Sequence, residues 1–341
     1  MKRKNIFKTW LLLSALWLTA GCSAIDDDLS DCPPDVSQYQ LEYQLKLVTN
    51  MTTELSTKLN TVTETSVANA IRAYLNNIFT DFAHDVDLSF YDTDGSFVRL
   101  HHDTHIMDAN QKSYTLTLPM REYKHLAVAN ITDNKVVNLV SDEYSNTSVL
   151  SQDDGTKAVP LTYIQPHTTG LFTARESMTV LEGVDQTFNV RLYMANSAAT
   201  LVIDPKGMTY KSLKVFGTGF ASRFYINDST YVFSDTPPLV KADELTTGNS
   251  LLCFTSVNFP SHDADPANPG ATLWQLKIYL TKTDDTVTET VLDISEALQA
   301  GELKIIKGSL DTDGAVRPYD PTVGVSVTLN WNSAGNYEWE M

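Results

Sequence analysis

The chain has 341 residues, of which 42% are hydrophobic, and this length is enough for two ordinary domains. It carries 42 acidic and 25 basic residues, which gives a formal charge of −17 at pH 7. Such a surface repels phosphate backbones, so nucleic acid is disfavoured as a partner.

The first 21 residues have the layout of a secretion signal. Four cations precede an apolar run of about 11 residues, which is shorter than the roughly 20 helical residues needed to cross a bilayer. The run leads into Ala20-Gly21-Cys22, an ending that resembles the lipobox of bacterial lipoproteins. This resemblance implies cleavage before Cys22 and attachment of acyl chains to Cys22, which ties the mature chain to a membrane. A plain signal peptide followed by an incidental cysteine is the alternative.

Residues 22–37 are acidic, contain Pro33-Pro34 and lack hydrophobic periodicity, so they are predicted to form a tether. Without residues 1–21 the chain has four fewer cations and a formal charge of −21. The acidic run at 26–28 resembles the signal that sends Bacteroidales-type lipoproteins to the outer face of the outer membrane. The expected localisation is therefore the outer membrane, lipid-anchored and facing the cell exterior. A solvated acidic linker is the alternative.

Two periodic segments follow the tether. Residues 39–48 alternate between apolar and polar side chains, which predicts a half-buried strand. Apolar residues then recur at three- and four-residue steps from Val67 to Phe82, which predicts one amphipathic helix from about Thr65 to Phe82. The aromatic-rich stripe of this helix is expected to lie in the core, with partner binding as the alternative.

The remainder is predicted to consist of short strands separated by turns. Val86, Leu88 and Phe90 alternate into Asp92-Thr93-Asp94-Gly95, a predicted hairpin turn whose four residues recur at 311–314. Further strands are predicted at 114–118, 126–131, 178–181, 188–194, 200–203, 213–216, 251–259, 274–280 and 323–329. The fold class is therefore mainly β, with a predicted N-terminal β-sandwich domain at 38–183 and a C-terminal one at 184–341.

Residues that could carry chemistry are few. On a strand, His101, Asp103 and His105 would share one face, a spacing compatible with three metal ligands, but it matches no established signature. The two Asp-Thr-Asp-Gly turns lack the glutamate that completes a calcium loop. Motifs typical of serine hydrolases, zinc proteases, phosphate-binding loops and dithiol redox proteins are absent. We therefore expect no catalytic residue, no metal, no cofactor and no enzymatic activity.

The other cysteines and the aromatic residues leave alternatives open. Cys32 and Cys253 could pair in an oxidising compartment, although a buried free thiol is favoured at Cys253. Six aromatic side chains could stack on sugars, with core packing as the alternative. They are Tyr225, Tyr231, Trp274, Tyr319, Trp331 and Trp339.

Three segments carry a resemblance to a known family. The run Cys22-Ser-Ala-Ile-Asp-Asp-Asp-Leu-Ser-Asp-Cys32-Pro33, leading into a tyrosine-rich strand, resembles the FimB-type fimbrial anchor family of Bacteroidales-type fimbriae. Leu171-Phe172-Thr173-Ala174-Arg175 resembles the family's entry into its second domain, and residues 323–331 resemble its closing strand. The resemblance implies two tandem transthyretin-like β-sandwich domains, fimbrial stalk subunits as partners, and a role in attaching the polymer.

The resemblance also implies possible modification sites. Asp228-Ser229-Thr230 and Asp285-Thr286-Val287 are similar to the O-glycosylation sites of this bacterial group, with an ordinary loop or strand end as the alternative.

The family's assembly chemistry conflicts with a lipid tether. Related stalk subunits lose an N-terminal segment to a protease, and a strand of another subunit fills the exposed groove. The same cut in this chain would release Cys22 with its lipid. We therefore expect residues 39–48 to stay in place and the next subunit to dock elsewhere, at an edge of the C-terminal domain. A surface lipoprotein that binds glycans is the alternative function.

Overall fold

A computed structural model describes residues 38–48, 51–78, 85–94, 98–106, 113–130, 138–139, 149–151, 163–184, 186–226 and 229–332. Over this part of the chain the protein is mainly β, as predicted. The helices are α1 (Met51–Lys58) and α2 (Thr65–Ile78), with a 3₁₀ turn at Val62–Glu64 between them. The strands are β1 (Gln38–Val48), β2 (Asp85–Tyr91), β3 (Arg99–Ile106), β4 (Ser113–Pro119), β5 (Glu122–Ala129), β6 (Asn138–Leu139), β7 (Val149–Ser151), β8 (Phe172–Thr179), β9 (Gln186–Met194), β10 (Ser197–Asp204), β11 (Ser212–Thr218), β12 (Arg223–Tyr225), β13 (Thr230–Val232), β14 (Val240–Lys241), β15 (Asp243–Leu245), β16 (Leu252–Asn258), β17 (Trp274–Thr281), β18 (Thr286–Ile294), β19 (Leu303–Leu310), β20 (Val316–Pro318) and β21 (Gly324–Asn332).

Helix α2 confirms the predicted amphipathic helix, although it ends at Ile78 and residues 79–82 lie outside the described part. Val67, Ile71, Leu75 and Ile78 are buried along one face, as a period of 3.6 residues requires. Helix α1 was not predicted, because it is short and, of its side chains that the structure describes, only Met51 and Leu55 are buried.

The first sheet has seven strands in the order β3-β2-β5-β8-β9-β1-β4. Strands β8 and β9 pair only at Phe172–Met194 and Thr173–Tyr193, so a four-stranded part and a three-stranded part meet at one corner. Both parts and the two helices contribute to one hydrophobic cluster. Two sheet parts around a shared core are compatible with a sandwich, and the transthyretin-like assignment stays a prediction.

Two five-stranded sheets follow in the chain, in the orders β15-β16-β10-β19-β20 and β14-β11-β17-β18-β21. Their facing side chains, including Leu201, Trp274 and Leu292, form a second hydrophobic cluster. The alternate residues Ala198 and Val202 of β10 belong instead to the first cluster. Strand β10 is therefore buried on both faces, which explains its continuous apolar run.

Polar contacts fix the helices to the sheet that contains β10. Lys307 of β19 donates to the carbonyl oxygen of Lys58 and to the carboxylate of Glu64, both at 2.9 Å. The Tyr74 hydroxyl donates to Asp243 of β15 at 2.9 Å. The helices of the N-terminal half are thus held directly by the C-terminal half.

Strand β9 lies beyond the boundary predicted between residues 183 and 184, yet it pairs with β1 over eight residue pairs. The last strand of the first sheet therefore ends at Met194, and the division into domains stays a prediction. A further small sheet, in the order β13-β12-β7-β6, combines strands from both predicted domains.

The strand predicted at 178–181 is wrong in its limits, because the structure places β8 at Phe172–Thr179. Val180 and Leu181 instead enter the turn that leads to β9, where the Val180 amide donates to the Arg121 carbonyl at 2.9 Å. Among the described residues no helix is both long and apolar enough to span a membrane.

Candidate functional site at the first strand

Strand β1 has partners along both of its edges. It pairs antiparallel with β4 over seven residue pairs and parallel with β9 over eight. Leu41 on its inner face is 1% exposed and belongs to the first hydrophobic cluster. Removal of β1 would leave unpaired backbone groups on two neighbouring strands and would open the core beneath it.

The alternation of residues 39–48 predicted this strand correctly. It did not predict that the strand is internal, because a period of two describes the faces of a strand and says nothing about its neighbours. Its neighbours, β4 and β9, lie about 75 and 145 residues further along the chain, so the pattern of residues 39–48 cannot identify them.

A groove opens beside β9 where β8 and β9 separate. Its volume is about 350 Å³, and its lining includes Arg175, Arg191, Tyr193 and Tyr231. The Tyr231 hydroxyl donates to the Ala195 carbonyl at 2.7 Å, so this ring is fixed as part of the wall. Tyr193 is 53% exposed at the rim. The groove places two arginines beside aromatic rings, and the carboxylate of Glu176 also lies in its lining.

Strand β21 is the end strand of its sheet and pairs only with β18 within the described part of the chain. Leu329 of this strand is 42% exposed, whereas Val325 and Val327 are half-buried. Edge strands with free backbone groups are natural sites for strand addition. Docking of the next subunit at an edge of the C-terminal domain stays a prediction.

The segment with His101, Asp103 and His105 lies on strand β3, which is the condition under which these residues share one face. The His101 ring lies 5.7 Å from the Phe90 ring, and His102 on the other face contacts the Asp87 carboxylate at 2.6 Å. The side chain of His105 is outside the described part. No group of three metal-ligating side chains occurs among the residues that the structure covers.

Trp274, one of the aromatic residues considered for sugar stacking, is a core residue, and that interpretation is wrong for it. Tyr231 is half-buried and lines the groove beside β9, so for Tyr231 the interpretation stays untested. Trp274 is 1% exposed, and its indole nitrogen donates to the Glu296 carbonyl at 2.9 Å. Tyr231 packs against Phe224, with ring centroids 4.7 Å apart. Tyr319 is 55% exposed. The side chain of Trp331 and all of Trp339 lie outside the described residues.

Cys253 is a buried free thiol, as the sequence favoured. Burial raises its pKa to about 12, so it is neither charged nor nucleophilic at neutral pH. Cys22 and Cys32 lie outside the described residues, so lipidation of Cys22 stays a prediction.

The two segments considered for glycosylation stay untested. Ser229 is exposed with a φ of 57°. Thr286 is half-buried, and its hydroxyl donates to the Asp284 carboxylate at 2.7 Å.

Two fully buried histidines were not predicted, since nothing in the sequence distinguishes them from exposed ones. Burial lowers the pKa of both His125 and His167 to about 3. His125 stacks on Phe90 with ring centroids 4.4 Å apart, and its Nδ1 lies 3.1 Å from the Ser89 carbonyl. Both imidazoles are therefore neutral at physiological pH and belong to the packing of the fold.

No family model and no curated protein matches this chain. Solved structures are similar to it, among them a candidate adhesin from Bacteroides ovatus, with 12% identity and a TM-score of 0.50 over 86% of this chain and 97% of the other. A candidate polysaccharide-binding protein from Bacteroides thetaiotaomicron has 10% identity and a TM-score of 0.49 over 83% of this chain and 98% of the other.

The fimbrial anchor protein Mfa2 from Porphyromonas gingivalis has 10% identity and a TM-score of 0.44 over 86% of this chain and all of the other. None of these three proteins is named as an enzyme. At the level of the fold, the likeness to the Bacteroides ovatus adhesin is consistent with the resemblance that the sequence shows to fimbrial proteins.

Proposed function

We propose that this chain is an outer-membrane surface lipoprotein that serves as the anchor or an accessory subunit of a fimbria. The observation that carries the proposal is the position of β1, which has strand partners on both sides. A protein tethered through Cys22 must keep the strand that follows its tether. Pairing of β1 with β4 along residues 38–44 and with β9 along residues 41–48 supports retention of that strand.

The sequence resemblance at residues 22–33 and the fold shared with a candidate adhesin support the same role. The edge of β21 is the proposed docking position for the neighbouring stalk subunit. Among the described residues β21 pairs only with β18, which leaves its other side for strand addition while β1 stays in the sheet.

The glycan-binding alternative loses Trp274, which was one of its candidate residues and is buried in the core. A loss of glycan retention in a Trp274→Ala variant would therefore report on unfolding. We keep fimbrial anchoring as the proposal.

The test compares two cysteine variants expressed in a strain from which the gene has been deleted. Cys22→Ala removes the proposed lipid attachment, and Cys32→Ala is the matched control, because it changes a neighbouring cysteine of the same acidic segment. With Cys22→Ala we expect fimbriae to detach from the cells and to accumulate in the medium, whereas Cys32→Ala should retain them. Normal, attached fimbriae in the deletion strain itself would contradict the proposal.

A further inference from the structure

Exposed hydrophobic side chains are concentrated at one end of the seven-stranded sheet. Nine large hydrophobic side chains are exposed among the residues that the structure describes. Five of them lie in or beside three turns at this end: Val98, Leu100, Met120, Leu181 and Val184. Their exposed fractions run from 39% for Leu100 to 54% for Val98. We name these five side chains the tip patch.

Direct contacts hold the three turns together. Arg121, in the turn from β4 to β5, pairs with Asp92 at the start of the turn from β2 to β3, at 2.7 Å. The Arg121 carbonyl accepts the Val180 amide at the start of the turn from β8 to β9. Neighbouring strands lie about 4.8 Å apart, so the four-stranded part of the sheet is about 15 Å wide. The tip patch is therefore one compact surface.

The chain enters the fold at this same end. Gln38, the first residue of β1, lies opposite Pro119, which precedes Met120 of the tip patch. Residues 22–37 connect this point to Cys22. Even at full extension, a segment of about 16 residues spans at most about 55 Å. A lipid on Cys22 would therefore hold the start of β1, beside the tip patch, within about 55 Å of the bilayer surface.

We propose that the tip patch rests on the lipid surface to which Cys22 is attached. This inference depends on the proposed lipoprotein function and adds an orientation to it. A set of exposed apolar side chains next to a membrane tether gains by leaving water for the interface of the bilayer. Contact beside the tether also benefits from the high effective concentration that the tether provides.

The charges near the tip patch indicate which lipids it accepts. Asp94, Glu122 and Glu182 are exposed in or beside the same turns, whereas of the nearby cations Arg121 pairs with Asp92 and Arg99 is half-buried. These carboxylates oppose anionic headgroups, so zwitterionic lipid is the expected surface and anionic lipid should weaken the contact.

The experiment uses residues 22–341 with Cys22→Ser and Cys32→Ser, held by an N-terminal histidine tag on phosphatidylcholine vesicles that contain a nickel-chelating lipid. A polarity-sensitive fluorophore is attached at Met120→Cys or Leu181→Cys. The matched control is Val62→Cys, because Val62 is 93% exposed and lies between α1 and α2. Cys253 is fully buried and stays unlabelled in the folded protein.

On vesicles we expect a blue shift at both tip positions and at least twofold stronger quenching by brominated lipid there than at Val62. Equal behaviour at the tip positions and at Val62 would overturn the proposal. A blue shift that appears without vesicles and grows with protein concentration would also overturn it, since a second copy of the chain would then cover the patch. The tag holds the chain whether or not cells acylate Cys22, so failure of this contact is distinguishable from failure of the lipoprotein assignment.

Discussion

Single residues show why aromatic content is a poor guide to binding in this chain. Trp274 begins a strand whose alternate residues are buried, and its ring lies 5.7 Å from that of Phe220. Gly219 lies directly against the backbone of Trp274. A Cβ added at Gly219 would lie 2.7 Å from the Cα of Trp274. The alternation of apolar and polar residues at 274–280 already indicates that Trp274 lies on the apolar face of its strand, and the structure buries that face.

Trp274→Ala is expected to lower the free energy of unfolding by about 3–5 kcal/mol, because it empties a large buried site. Urea denaturation followed by circular dichroism measures this change. Tyr319→Ala is the control, since Tyr319 is 55% exposed, and should change stability by no more than about 0.5 kcal/mol. A Trp274→Ala variant as stable as the wild type would contradict the buried position.

The buried histidines predict the pH dependence of stability. In the folded protein the pKa of His125 lies near 3, below the value of about 6.5 that it has in an unfolded chain. The unfolded state therefore binds more protons than the folded state between pH 6.5 and 3. Stability contributed by neutral His125 is complete above pH 6.5 and is lost as the pH falls through this range.

His125→Phe keeps a ring against Phe90 and removes the titrating group. Each buried histidine contributes a slope of up to about 1.4 kcal/mol per pH unit, so this variant should lose stability less steeply between pH 6 and 4. His102→Phe is the control, because His102 is exposed on β3. Unfolding curves with the same pH slope for His125→Phe and for the wild type would disprove the buried, neutral state.

At the scale of elements, strands with a regular alternation of apolar residues were predicted, and strands in which that alternation is interrupted were missed. Strands at 39–48 and 274–280 were found because apolar side chains occupy every second position. Strand β18 was missed because two of its buried positions are Thr288 and Thr290, which are 1% and 0% exposed but polar. Strand β19 was missed because Gly308 interrupts its apolar pattern. The structure requires glycine there, since a Cβ added at Gly308 would lie 2.6 Å from the Arg317 carbonyl oxygen.

The contact between the helices and β19 supports a further prediction. Burial alone would raise the pKa of Glu64, but hydrogen bonds from Thr61 and Lys307 hold it below its usual value. Lys307→Met would leave the half-buried Glu64 carboxylate and the Lys58 carbonyl without this donor. We expect a loss of about 1–3 kcal/mol in the free energy of unfolding.

Lys206→Met is the matched control for Lys307→Met. It also removes a lysine from an ion pair, with Asp204, but this lysine is 59% exposed. Exposed pairs contribute little, so its effect should be clearly smaller than that of Lys307→Met. Equal losses for the two variants in thermal or urea unfolding would show that Lys307 does not connect the helices to the C-terminal half.

At the scale of the whole molecule, the sequence predicted a mainly β chain with one long amphipathic helix, but not the connections between strands. The pairing of β1 with β9 joins residues about 145 positions apart, and no local pattern encodes such a distance. The same pairing carries the first sheet past the predicted boundary at residue 183. The tip patch is also invisible in the sequence, because it forms only when three separate turns meet.

The central claim is that a chain tethered at Cys22 keeps its first strand within the sheet. Intact-mass and peptide mass spectrometry of the protein from outer membranes tests this claim most directly. We predict a mature chain that begins at an acylated Cys22 and contains residues 39–48. A mature chain that begins near Thr49 or later would contradict the account.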